Sequence, residues 1–299
     1  MVKYNCIFLS RRPVENYDIL RMIPIEIINN YFTYILSLKD LTSNKMKIME
    51  AGAGSGRFFI PLVNWVTKNS FPHMLTACDI SSKMLEALEY RLNGCGKIVS
   101  LVNFDLQEKK SFTMSWFDLI YTVATLHILN EWKQCLNNFV EMLKPGGILV
   151  LTKEINQFMH RTEGFDNTYD LTEIDAQLDE FFRLYHRLRV EVGEPYEPSG
   201  ITYSEIGPAI DYLLKQGMEL IEQRLDDEKL KWQKPHSYAD LLETFRLRTI
   251  TTWGSDLSPA VRVKIHDQLK SWLISRNIDM NYIFYLPARL QTFTFKKAC

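Results

Sequence analysis

The stretch "IMEAGAGSGRFFIPL", from Ile48 to Leu62, decides the fold. It opens as an apolar run, breaks into three glycines two apart (Gly52, Gly54 and Gly56), and resumes with residues that suit a helix. Strand, bare turn and helix start in that order mark a place where a ligand lies close to the backbone. A dinucleotide-binding turn wants its glycines spaced G-x-G-x-x-G. Here the third glycine comes one residue early and Arg57 fills the slot that the dinucleotide pattern reserves for glycine, so the spacing argues against NAD. Glu50, just ahead of the glycines, offers a carboxylate to a positively charged group; read plainly, it is a solvated strand-end acid.

Outward from this turn, residues 45–154 alternate short apolar runs with segments of helical period, the pattern of a parallel sheet covered by helices. Strands are expected over 47–50, 74–79, 97–103, 117–123 and 147–153, with helices over 57–67, 82–92 and 131–143. Ser81 and Ser82 open the second helix, and "KPGG" (144–147) closes the third. Right-handed crossovers make this a doubly wound α/β sheet with a ligand crevice at the carboxyl ends of its strands.

Two more acids stand at that crevice. Asp79 ends the second strand, about twenty residues past Gly56, where a carboxylate accepts both hydroxyls of a ribose; the plain alternative is a helix N-cap ahead of Ser81. In "SLVNFDLQ", Asp105 lies just beyond the third strand, placed to accept from an exocyclic amine such as that of adenine, or simply to shape a polar turn. An acid for a cation, one for a diol and one for an aromatic amine describe a cationic nucleoside without phosphates. No P-loop lysine follows the glycines, which excludes the nucleoside triphosphate reading.

With "FDLIYTVATLHIL" and "MLKPGGILVLTKE" following in order, residues 45–154 resemble the class I S-adenosylmethionine-dependent methyltransferases. The resemblance implies a mostly parallel seven-stranded sheet of Rossmann-like methyltransferase type with helical cover insertions. It also implies S-adenosyl-L-methionine as cofactor. Gly52, Gly54 and Gly56 then pass under its methionine part, Glu50 orients that part, Asp79 holds the ribose, and Asp105 with Leu106 frames the adenine. Ile80 and Val123 complete the implied cofactor set.

The rest of the chain reads as cover. Residues 1–44 form an N-terminal helical cap, its helix over 24–38 lying across the crevice or the sheet edge. Residues 155–299 supply a helical lid, insertions and the closing strands of the same sheet. A stripe of Ile174, Leu178, Phe181, Tyr185 and Leu188 marks an amphipathic helix, and 156–200 is expected to be a movable cover. Further helices are expected over 204–216, 238–251 and 258–275, with a strand from Met218 and a last one at "RLQTFTF". Tyr17, Glu154, Tyr185 and Trp232 are candidates for the acceptor pocket, Trp232 with the Pro235 turn leading into an inserted helix. His127, after the fourth strand, is a candidate general base because its ordinary pKa lies near neutrality; packed between Leu126 and Ile128, it has an equally plain structural use.

Composition narrows the function classes. Lys and Arg number 35 against 36 Asp and Glu, which argues against a nucleic-acid partner drawn by a cationic field. The 46% hydrophobic content suits a globular chain with a large core. Cys6, Cys78, Cys95, Cys135 and Cys299 are scattered and never form a CxxC pair, so a zinc site is not expected and the cytoplasm is the expected compartment. No run approaches the ~20 apolar residues that span a bilayer. A small-molecule methyltransferase working by in-line O-, N- or C-methylation fits best. Protein or peptide methylation, RNA methylation and a noncatalytic cofactor-binding regulator are the alternatives.

Overall fold

The computed structural model describes residues 23–38, 45–69, 73–92, 98–109, 113–156, 173–193, 206–247 and 257–298. The chain divides into two compact units. A sheet unit comprises Met22–Glu154, Ser199–Trp232 and Arg289–Cys299, and a helical unit comprises Met1–Arg21, Ile155–Pro198 and Gln233–Ala288.

In chain order the elements are α1 (Ile25–Ser37), β1 (Lys47–Ala51), α2 (Phe59–Lys68), β2 (Met74–Asp79), α3 (Ser82–Leu92), β3 (Val99–Asn103), β4 (Phe117–Val123), α4 (Trp132–Met142) and β5 (Leu143–Asn156). Then follow α5 (Glu173–Glu191), α6 (Gly207–Lys215), β6 (Met218–Arg224), β7 (Lys231–His236), α7 (Tyr238–Leu247), α8 (Pro259–Ser275) and β8 (Phe284–Lys297). The sheet runs in the order β3-β2-β1-β4-β5-β8-β6, with β7 paired to β8 outside that path. Strands β1 to β5 pair in parallel, and β6 pairs antiparallel with β8. This is the doubly wound, mostly parallel arrangement expected from the alternating pattern.

Two details depart from the sequence reading. The sheet has eight strands rather than seven, the additional one being β7, "KWQKPH". Its Pro235, read from sequence as a turn, is tolerated because β7 pairs with β8 alone and edge strands can spare a backbone donor. The second departure is "KPGG", which lies inside β5. Pairing steps from Phe117↔Leu143 to Leu119↔Ile148, so the residues between bulge out of the ladder, with Gly146 at φ 68° supplying the turn.

Alternation along the strands sorts the two faces of the sheet. Met49, Ala51, Cys78, Ile120, Leu149 and Leu151 join a core with Leu136, Phe139 and Met142 of α4 and Leu213 of α6. On the other face Tyr121 of β4 meets α1, its ring centroid 6.2 Å from that of Tyr31 and 5.8 Å from that of Phe32. The N-terminal helix thus packs on the sheet face: Ile27, Ile28, Tyr31, Phe32 and Ile35 are buried, and the Tyr31 hydroxyl shares a 2.9 Å hydrogen bond with Thr152 Oγ1 of β5. Each such aromatic stabilises by about 1.5–3 kcal/mol through burial, which fixes α1 close to the carboxyl ends of the central strands.

The helical unit has its own core. Leu178, Phe181, Tyr185 and Leu188 of α5 pack with Tyr238, Leu241 and Phe245 of α7 and with Ile265, Leu269 and Leu273 of α8. Ser258 caps α8 and Pro259 occupies its first turn, where a missing N–H costs nothing. Among the described residues no helix is long and apolar enough to cross a membrane.

Candidate functional site

The glycine turn is tied to the neighbouring strand end. The backbone N–H groups of Gly52 and Ala53 both donate to the Cys78 carbonyl, at 2.8 and 3.0 Å. Gly52, Gly54 and Gly56 have φ of 78°, 54° and 96°, a region that other residues rarely enter. Their surroundings differ. A Cβ at Gly52 would strike the Thr125 side chain, and one at Gly56 would strike Leu88 and Ile60, so at both positions packing excludes a side chain. A Cβ at Gly54 would meet nothing within 4 Å. Gly54 is therefore the glycine whose missing side chain leaves space rather than fills it.

Asp79 is aimed at that turn. Its Oδ2 accepts from the Gly54 N–H at 2.8 Å and its Oδ1 from the Ser81 N–H at 2.9 Å, while Ser81 itself caps α3 by accepting from the Met84 N–H at 3.3 Å. The N-cap alternative thus belongs to Ser81. Burial raises the Asp79 pKa, and the two backbone donors pull it back down. Beside it the Ile80 side chain is 50% exposed, an uncovered apolar group at the crevice.

Glu50 is not a solvated acid: it is 3% exposed. Register Glu50↔Tyr121 places it opposite Tyr121 on β4, whose hydroxyl donates to Glu50 Oε2 at 2.9 Å. Burial pushes the Glu50 carboxyl up to about 8; the Tyr121 hydrogen bond and the Arg57 charge oppose that shift, and Asp79 adds to it. A carboxyl held protonated by burial in this way would be ionised by a cation brought beside it. Tyr31 and Tyr121, both buried and both facing the Glu50 charge, are held above the ordinary phenol range and remain protonated.

Asp105 sits beyond β3 in a polar turn, its Oδ1 accepting from the Gln107 N–H at 2.9 Å, with Leu106 buried next to it. Val123 ends β4 and is buried. After it Ala124 adopts φ 52°, an uncommon conformation for a residue with a side chain and one found at ligand-facing turns. His127 lies on the short 3₁₀ turn Leu126–Ile128 and is half-buried.

The acceptor candidates fall in different places. Tyr17 lies outside the described residues. Glu154 is buried in the sheet unit and pairs with Arg57 Nη1 at 2.9 Å. Trp232 belongs to the same unit and is buried. Tyr185 is a core residue of the helical unit, its hydroxyl accepting from Arg189 at 3.2 Å. The structure therefore gathers Glu50, the glycines, Asp79, Ile80, Asp105, Leu106, Val123, His127, Glu154 and Trp232 in one unit and Tyr185 in the other.

Sequence reasoning missed Tyr121, Tyr31 and Arg57. Tyr121 had a usable signal: in "FDLIYTV" it is in phase with Leu119, and a parallel β1–β4 pair sets Leu119 opposite Ile48 and hence Tyr121 opposite Glu50. Tyr31 and the Arg57–Glu154 pair depend on how distant segments pack and had none.

Comparison with known proteins agrees with this geometry. Residues 49–151 match the family described as "Methyltransferase domain". Curated relatives include a highly reducing polyketide synthase, AFT9-1, of Alternaria alternata, 26% identical over 120 residues (39% of this chain, 4% of the relative). Lovastatin diketide synthase mokB of Monascus pilosus is 26% identical over 112 residues (36% of this chain, 4% of the relative). The chain thus spans about 4% of the length of these relatives. Among solved structures, the YcgJ protein of Bacillus subtilis aligns with a TM-score of 0.53 at 14% identity, over 91% of this chain and 99% of that one. A Bacillus halodurans protein assigned as a methyltransferase aligns with a TM-score of 0.54, also at 14% identity, over 90% and 100% of the two chains. These last likenesses establish the fold. Family match and sheet order agree: residues 49–151 match a methyltransferase domain, and the chain has the fold of the solved structures named above.

Proposed function

We propose that the chain transfers a methyl group from S-adenosylmethionine to an oxygen, nitrogen or carbon atom of a small molecule. When bound, the cofactor supplies an electrophilic methyl group on a sulfonium. Glu50 compensates the positive charge of its methionine part, and Gly54 leaves room for that part beside Asp79. Asp79, fixed by the Gly54 and Ser81 N–H groups, accepts the ribose hydroxyls. Ile80, Leu106 and Val123 bound the nucleoside, Asp105 accepts from the adenine amine, and Gly52 and Gly56 keep the turn tight. Glu154, anchored by Arg57, and Trp232 belong to the acceptor side, and His127 is the candidate base for an acceptor that needs deprotonation. Of the segment 156–200, expected from sequence to be a movable cover, residues 157–172 and 194–200 lie outside the described ones.

The observation that carries the acceptor class is electrostatic. A formal net charge of −1 offers no broad attraction for a phosphate backbone, which favours a small acceptor over RNA. Relatives named for polyketide and diketide synthesis support the same class. The reading places the enzyme in the cytoplasm, on the strength of five scattered cysteines.

The test is a methyl-transfer assay with methyl-labelled S-adenosylmethionine and three separate acceptor pools: cell metabolites, peptides and RNA. Label is expected in the metabolite pool. Label confined to peptide or RNA overturns the acceptor class, and cofactor binding with no transfer to any pool points to a noncatalytic regulator.

A further inference from the structure

Along α4 the buried positions are Cys135, Leu136, Asn138, Phe139 and Met142, an apolar stripe interrupted by one amide. Asn138 is fully buried, so its polar atoms must be bonded within the protein or cost stability. They are bonded, and the partners are informative. Asn138 Nδ2 donates to the carbonyls of Leu106 and Glu108, each at 2.9 Å, while its Oδ1 accepts from Gln134 Nε2 at 3.1 Å. Because Gln134 donates to the oxygen, the amide is oriented with both of its N–H groups toward the loop after β3.

That loop carries Asp105. It closes on itself through the Glu108 N–H donating to the Asp105 carbonyl at 3.0 Å and the Gln107 N–H donating to Asp105 Oδ1 at 2.9 Å. The start of α4 grips it a second time, where the Glu131 N–H donates to Gln107 Oε1 at 3.0 Å. Asp105 Oδ2 has no hydrogen-bond partner among the described residues and stands as the acceptor that remains. Leu106 anchors the turn in the core, while its polar flanks, Asp105, Gln107 and Glu108, depend on hydrogen bonds for a single conformation. Two carbonyls pinned from beneath by one buried side chain supply that hold.

We propose that Asn138 is a positioning residue for adenine recognition: it holds the 105–108 turn from the core side so that the Asp105 carboxylate faces the exocyclic amine of the cofactor. The proposal rests on the cofactor reading above. Asn138 acts through Asp105, and the expected signature is lost discrimination between bases rather than uniformly weaker binding. A site built to accept from an amine rejects a base that presents a carbonyl there, because two acceptors then face each other.

The experiment measures the dissociation constants of S-adenosylhomocysteine and S-inosylhomocysteine for the full chain, wild type and variants, by calorimetry. Wild type is expected to prefer the adenine compound by at least about tenfold. Asn138→Ala should bring the ratio to within about threefold of one, chiefly by weakening the adenine compound. Asn138→Ser, which keeps one donor and opens a smaller gap, should give an intermediate ratio and serves if the alanine variant does not fold. A wild-type ratio that persists in the folded Asn138 variants, with both ligands weakened equally or not at all, overturns the positioning role alone. A wild-type ratio near one that Asp105→Asn leaves unmoved overturns the adenine reading and the proposal with it.

Discussion

The Tyr121 hydroxyl donates to Glu50 at 2.9 Å between paired residues of adjacent parallel strands, both buried. This hydrogen bond stabilises an ionised Glu50 where burial opposes it. The balance lies with burial, and the carboxyl moves from its ordinary 4.5 up to about 8.

A pH dependence follows, and its sign is fixed. Between about 4.5 and about 8 the folded, ligand-free chain keeps a proton on Glu50 that the unfolded chain has lost, so this group's contribution to stability declines as pH rises through that window. A cation bound beside Glu50 favours the carboxylate and expels the proton. Affinity for S-adenosylmethionine is therefore expected to rise with pH by up to about tenfold per unit and to level off above about 8. Titrations at pH 7 in buffers of different ionisation enthalpy should show proton release. Buffer-independent heat together with a flat affinity from about pH 6 to 9 would mean that Glu50 does not receive the cation.

Asp79→Ala removes a carboxylate held by Gly54 and Ser81 at the end of β2. The expected loss in affinity for S-adenosylhomocysteine is about 1–3 kcal/mol, the cost of depriving buried hydroxyls of a charged acceptor. Calorimetry on the variant, with circular dichroism to confirm its fold, checks this. Unchanged affinity in a folded variant would move the ribose elsewhere.

Gly54 and Gly56 should respond differently to alanine. At Gly54 the new methyl group enters open space, so the folding cost is limited to about 1 kcal/mol of left-handed backbone strain, while cofactor affinity falls because the methyl occupies the ligand's place. At Gly56 the methyl strikes Leu88 and Ile60, and the loss appears in thermal stability. Equal effects of the two substitutions on both measurements would contradict this division.

The strand-end positions of the candidate site residues were legible in the sequence because they are local. Glycine spacing, Asp79 after β2 and Asp105 after β3 each sit within a few residues of the element that positions them. Tyr31 was not legible: its place against Thr152 joins residues more than a hundred positions apart, and periodicity marks only that one face of α1 is apolar. Asn138 was hidden for the opposite reason, since an asparagine beside Asn137 on a helix reads as surface until the structure buries it. Strand β7 escaped because "KWQKPH" carries a proline and two lysines, the marks of a loop and also of a protected edge strand. The amphipathic stripe through Tyr185 was read correctly as one helix face, and the structure assigns that face to the core of the helical unit.

The glycine turn, Glu50 and Asp79 suit a cationic nucleoside rather than a dinucleotide. Calorimetric titration of the full chain with S-adenosylmethionine, S-adenosylhomocysteine and NAD tests it most directly. Saturable binding of the first two, with no heat from NAD, is the expected result. Saturable binding of NAD with no heat from either S-adenosyl compound would make the turn a dinucleotide site instead.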